Sequence, residues 1–277
     1  MSTTDPFGAG ASTDASSRTA PHPHAQSGYQ VRFDWGRDGA LLLSDASVVV
    51  VVDALAFSTT VELAVSDGVE VLPWGVADDD AAAFASARDA VLAGERALPG
   101  VVELLPSTVT DALGAIAAER RRVVLASPDG GDIARALADR GVTVVAGSLR
   151  NRTAVAEWVL REQEKLGGRA TVAVIAAGES RDSGALRPAV EDLLAAGAIL
   201  DALIDVGIDH CSPEAAAAAA AFSGLRRGIG HLITASASAE EARAAGAADE
   251  ELARQVDASR TVPVLREFGF RAERYSG

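Results

Sequence analysis

Five apolar runs, each ending in small, hydroxylated or charged residues, recur along the chain: Val48–Asp53, Val69–Trp74, Val123–Ser127, Val142–Gly147 and Thr171–Ala176. Strands covered on both faces read as continuous apolar runs, so these segments predict a buried parallel sheet. Alternating with them, a 3.6-residue rhythm predicts helices near 131–140, 150–166 and 187–203. The pattern specifies an α/β fold, three-layer α/β/α with a largely parallel sheet, built as one large domain or as two lobes. In such sheets a ligand lies outside the carboxyl ends of the strands, so reactive groups are expected in the loops that follow them.

Between these landmarks the reading is more local. Tyr29–Trp35 alternates as an edge strand does, and Leu41–Leu43 is expected to pair with it through a turn at Gly36–Gly39. Ser58, Thr59 and Thr60 stand where a helix begins, and Gly68 ends that helix. A helix over 78–93 opens on three aspartates, which suit the positive end of its dipole. A strand at Val101–Leu105, a helix over 107–120, an Ala-rich helix from Pro213 to about Phe222 and a short strand at Val262–Val264 complete the domain over 29–277. Residues 1–28 are rich in Ser, Thr, Ala, Pro and Gly and are expected to be a disordered tail in which His22 and His24 are solvated.

Composition narrows the functional classes. The formal net charge of -14 on 277 residues makes nucleic acid and anionic membrane poor partners, and no apolar stretch approaches the ~20 residues needed to span a bilayer. A small anionic substrate would then require a local cationic site or a metal. The single cysteine, Cys211, excludes an internal disulfide and cysteine-based zinc motifs and fits a reducing cytoplasm.

Candidate chemistry sits in the strand-end loops. Asp53 closes a run of five valines, where burial is costly unless its carboxylate meets a cation or several donors; metal ligation and helix capping both answer that need. Ser127-Pro-Asp-Gly-Gly131 brings Asp129 and Gly130 to a strand-to-helix turn that could cradle a phosphate or serve as a plain turn. Gly147–Arg152 offers Ser148, Arg150, Asn151 and Arg152, and two arginines at a sheet edge of so acidic a chain suggest anion clamps. Glu179, Glu191 and Asp192, with Asp53 and Glu95, could supply the carboxylates of an octahedral Mg²⁺ that also contacts phosphate. Walker, Gly-x-Gly-x-x-Gly and Gly-x-Ser-x-Gly motifs are absent, as are the signatures of tyrosine phosphatases and haloacid-dehalogenase-type nucleophile pairs.

Four segments in order carry a resemblance: Val51–Thr60, Leu125–Gly130, Ala146–Asn151 with Ala154–Ala156, and Leu186–Gly197. Together they resemble the ComB-like 2-phosphosulfolactate phosphatases of the actinobacterial branch, over roughly residues 45–265. The resemblance implies a cytoplasmic, Mg²⁺-dependent hydrolase that removes phosphate from a 2-phospho-3-sulfolactate-like acid. A homodimer would follow family habit only. Better-known members carry Arg where this chain has Ala56, Cys where it has Ala176, and Gly-Asn-Ser-Pro where Leu104–Ser107 stands; the loss at position 56 predicts weaker recognition of a sulfonate-phosphate.

The resulting expectation is Mg²⁺ held by Asp53 with Glu179, Glu191 or Asp192. Arg150 and Asn151 then act on the transition state, while Ser58, Thr59, Asp129, Gly130, Ser148 and Arg152 contact phosphate or substrate. The competing expectations are a degenerate member that binds a small anion without turnover, and a scaffold in which these loops are only caps and turns.

Overall fold

The computed structural model describes residues 22–96, 98–115, 121–181 and 183–273. Its first half runs β1 (Val31–Trp35), α1 (Gly36–Leu42), β2 (Val48–Val52), α2 (Phe57–Ser66), β3 (Glu70–Trp74), α3 (Asp79–Ala87), β4 (Val91–Gly94), β5 (Val102–Glu103), α4 (Val109–Ala115), β6 (Arg122–Ala126) and α5 (Gly130–Ala138). There follow β7 (Thr143–Gly147), α6 (Arg152–Leu166), β8 (Val172–Ala176), the small hairpin β9 (Glu179–Ser180) and β10 (Leu186–Arg187), and α7 (Val190–Asp205). The closing portion holds α8 (Pro213–Leu225), α9 (Ile229–Thr234), α10 (Ala237–Ala244), α11 (Glu250–Ala253), β11 (Val262–Arg266) and β12 (Gly269–Glu273).

Ten strands form one sheet in the order β1-β8-β2-β7-β11-β12-β3-β6-β4-β5. Two parallel groups, β1-β8-β2-β7 and β3-β6-β4-β5, are joined by the β11–β12 hairpin, which is antiparallel to β7 on one side and to β3 on the other. The chain's last described strands thus seal the two halves into one sheet. Helices cover both faces, as the continuous apolar runs require: along β2, Val48, Val50 and Val52 pack against Trp158 and Ile199, while Val49 and Val51 pack against Phe57 and Val61 on the other face. The two-residue period sends alternate side chains to opposite layers, so a strand of five buried valines serves two cores at once.

Several local expectations are corrected. Residues 36–42 form a helix, not a turn and a pairing strand: Ala40 and the following Leu43 are buried in the core with Val49 and Val51, which a solvent-side hairpin would not achieve. The helix expected over 78–93 stops at Ala87, Asp89 takes a positive φ of 50°, and Val91–Gly94 joins β6 as a parallel strand. Sheet pairing of Val91 and Leu92 there outweighs the helical tendency of the alanines before them. Strand β12 went unanticipated. The tail expectation is corrected for 22–28: Pro23–Ala25 makes a turn of 3-10 helix and Gln26 exchanges two hydrogen bonds with the Phe33 backbone. The remainder of that expectation, over 1–21, falls outside the described residues, as does part of the helix expected over 107–120.

Candidate active site

Asp53 follows the last valine of β2 and is almost wholly buried. The chain turns at once into α2, and the Phe57 N–H near the start of that helix donates to Asp53 Oδ1 at 3.2 Å. The Gly130 N–H, opening α5, donates to Oδ2 at 2.9 Å. Two helix N-termini therefore converge on one carboxylate, the arrangement that best tolerates a buried negative charge without a cation. Gly130 has to be glycine: a Cβ there would lie 2.5 Å from Asp53 Oδ2 and 2.7 Å from the Phe57 ring.

Asp192 reaches the same place from the first turn of α7. Its Oδ1 accepts from the Ala54 N–H at 2.7 Å and its Oδ2 from the Gly178 N–H at 2.8 Å. Gly178 has φ +66°, and a Cβ on it would meet the Arg187 carbonyl oxygen at 2.8 Å. Neither aspartate is in an ion pair among the described residues. Burial holds both carboxyls well above the ordinary range; the neighbouring charges of Glu95 and Asp129 push Asp53 further up, and those of Asp53 and Glu191 do the same to Asp192. The backbone N–H groups oppose this shift and are overcome.

Around the pair lies a cavity of about 640 Å³ whose wall includes Asp53, Glu95, Asp129, Glu179, Glu191 and Asp192. These carboxylates follow β2, β4 and β6, open β9 and begin α7; the five expected together, Asp53, Glu95, Glu179, Glu191 and Asp192, line one cavity with Asp129. Glu95 and Asp129 are raised, first by burial and then by neighbouring carboxylates. Asp129 also accepts from Ser180 Oγ at 2.8 Å. Ser238 of α10 contacts both Glu179 and Glu191, Arg187 pairs with Glu179, and the second oxygen of Glu191 is buried without a hydrogen-bond partner.

The other expected site residues are placed elsewhere. Arg150, expected as an anion clamp, is buried with its Nε 2.7 Å from Glu62 and with further contacts to Gln255 and the Leu252 carbonyl. Asn151 accepts from the Ser148 backbone N–H and donates to the carbonyls of Ala146 and Thr261, while Ser148 caps the short 3-10 turn at Leu149–Asn151. Arg152 bridges Asp201 at 3.1 Å and Asp257 at 3.0 Å. This whole loop is a lock between α7, α2 and the segment before β11, and it contributes nothing to the cavity wall. Ser58 and Thr59 are likewise spent on structure, donating to the Asp53 and Ala54 carbonyls. The Gly130 N–H serves Asp53, so the phosphate-cradle reading of that turn is replaced by a carboxylate-holding one.

Cavity residues not anticipated include Arg96, Ser107, Ser238 and Asp249. Ser107 and Asp249 join the β5–α4 connection to the start of α11 through hydrogen bonds of 2.9 and 2.6 Å. A second cavity, of about 570 Å³, lies at the opposite edge beside Arg121, Arg122 and Arg271. Arg122 and Arg271 both pair with Glu70 at 2.8 Å, a surface network remote from the aspartates.

The family model for 2-phosphosulpholactate phosphatase matches residues 40–267. The chain belongs to that family. Its members are phosphoric monoester hydrolases, and the match spans β2 through β11, including the six cavity carboxylates named above. No curated protein matches the chain. No helix among the described residues is long and apolar enough to cross a membrane.

Proposed function

We propose that this phosphatase hydrolyses the phosphate ester of a 2-hydroxy acid, with Mg²⁺ bound at the Asp53–Asp192 pair. The observation that carries the reading is this pair: two carboxylates, nearly excluded from water, set in the wall of one cavity, with neither in an ion pair among the described residues. Burial first, and neighbouring carboxylates second, hold both above the ordinary range, and a divalent ion would favour their charged forms.

The donor set fits magnesium, which prefers carboxylate oxygens. Among the described residues no three His, Cys, Asp or Glu side chains are gathered closely enough to enclose an ion. That is compatible with Mg²⁺, which is commonly held by one or two carboxylates with the remaining positions left to water and substrate phosphate. Asp53 and Asp192 would hold it. When bound, the ion neutralises phosphate charge as a Lewis acid.

The chain's own groups supply the rest. Backbone N–H groups of Phe57, Gly130, Ala54 and Gly178 fix the aspartates before substrate arrives, so little reorganisation is needed on binding. Glu95 and Asp129 line the same wall, with carboxyls raised above the ordinary range, and either would serve as the acid that protonates the departing alkoxide. The test is phosphate release by the purified protein from a panel of phosphorylated 2-hydroxy acids, with Mg²⁺ and with EDTA. Release that depends on the ion is expected; no release from any member would overturn the proposal.

A further inference from the structure

Among the described residues the cavity wall carries nine carboxylates, from Asp53, Glu95, Glu103, Asp129, Glu179, Glu191, Asp192, Glu241 and Asp249, against a single guanidinium, that of Arg96. An ester dianion that also bears a carboxylate therefore enters a strongly negative chamber. One divalent ion offsets the phosphate. The remaining anionic group of the substrate has one place to go.

Arginines near this sheet edge are committed elsewhere: Arg37 to Asp132, Arg150 to Glu62, Arg152 to Asp201 and Asp257, and Arg187 to Glu179. Arg96 is exposed to the cavity and makes no salt bridge among the described residues. It follows Glu95 in the loop after β4, and both line the cavity that holds the aspartate pair. A guanidinium binds a carboxylate through two parallel N–H donors, which orients as well as attracts.

We propose that Arg96 is the specificity-determining residue: it takes the carboxylate of the phosphorylated hydroxy acid, and the cavity selects esters with a single such carboxylate over those bearing a second anionic group. This rests on the phosphatase reading above and narrows its substrate class. A sulfonate or second carboxylate would face the acidic wall with no guanidinium left to receive it.

The test compares kcat/KM of the full-length protein on 2-phospholactate, on glycerol 2-phosphate, which has no carboxylate, and on 2-phosphosulfolactate, which has a further sulfonate. Wild type should favour 2-phospholactate over both. In Arg96→Gln the ratio of 2-phospholactate to glycerol 2-phosphate should fall by about tenfold or more, the loss expected of one charge-assisted contact, mainly through KM. Arg96→Lys should recover part of that ratio. An unchanged ratio in Arg96→Gln, or a wild-type preference for 2-phosphosulfolactate, overturns the inference while phosphate release itself stands. No release from any of the three esters removes the phosphatase reading and this inference with it.

Discussion

The Ala54 N–H donates to Asp192 Oδ1 at 2.7 Å, so the residue after Asp53 holds the second buried carboxylate against the first across 138 positions of sequence. The linkage is mutual: the end of β2 cannot shift without moving the first turn of α7. Two strand-end loops are thereby made into one rigid centre, and its two charges must be borne together.

That joint burden gives the metal-free protein a characteristic pH response. Both folded-state pKa values are raised, so the folded protein holds more protons than the unfolded chain from the ordinary aspartate value upward. Stability therefore falls as pH rises through that window. Thermal melting in EDTA between pH 5 and 8 should show a declining Tm, and added Mg²⁺ should flatten the decline. At about 100 times its Kd the ion would add ~2.7 kcal/mol. A Tm insensitive to both pH and Mg²⁺ would argue against a coupled pair.

Arg150 should behave as a structural residue. Glu62→Ala leaves its guanidinium buried without a carboxylate, and such breakage costs about 3–5 kcal/mol. Chemical denaturation should register that loss, while KM for a phosphoester, measured well below the melting temperature, should stay within about twofold of wild type, the spread expected when no substrate contact is removed. A KM rise of the size seen on losing a phosphate ligand would restore Arg150 to the site.

Gly130→Ala tests how Asp53 is held. The new methyl would sit 2.5 Å from Asp53 Oδ2, so the carboxylate must turn away from the α5 N-terminus. We expect kcat/KM to fall by roughly 10²-fold, the scale of a misplaced catalytic group, with a smaller effect on stability. Gly131→Ala, whose methyl would approach the Trp74 carbonyl oxygen at 2.3 Å, should instead damage the fold itself. Equal, mild effects from both would contradict this division.

How far the sequence carries the structure follows from where the determining contacts lie. Val48–Val52 announces a central strand because both of its faces are apolar, and the cost of burying Asp53 at its end points to chemistry there. Family motifs around Asp192 do the same for the second carboxylate. Arg150 and Arg152 misled for a physical reason: clustered guanidiniums after a strand have the same local signature whether they meet a substrate or meet Glu62, Asp201 and Asp257, and those partners are chosen by tertiary packing. Strand β12 escaped notice because Phe270 is its one large apolar residue, flanked by the small Gly269 and Ala272 and the charged Arg271 and Glu273. Arg96 stands in an unremarkable Gly-Glu-Arg loop, and its isolation among carboxylates exists only once the cavity has formed.

The most direct test of the Asp53–Asp192 centre is Mg²⁺-dependent phosphate release from 2-phospholactate by wild type, Asp53→Asn, Asp192→Asn and the double variant, each first shown to be folded. Each single variant should lose at least ~10²-fold in kcat/KM, with the double variant scarcely worse, as expected for groups acting as one unit. Wild-type turnover in either folded single variant, or equal turnover of the wild type in EDTA, would contradict the account.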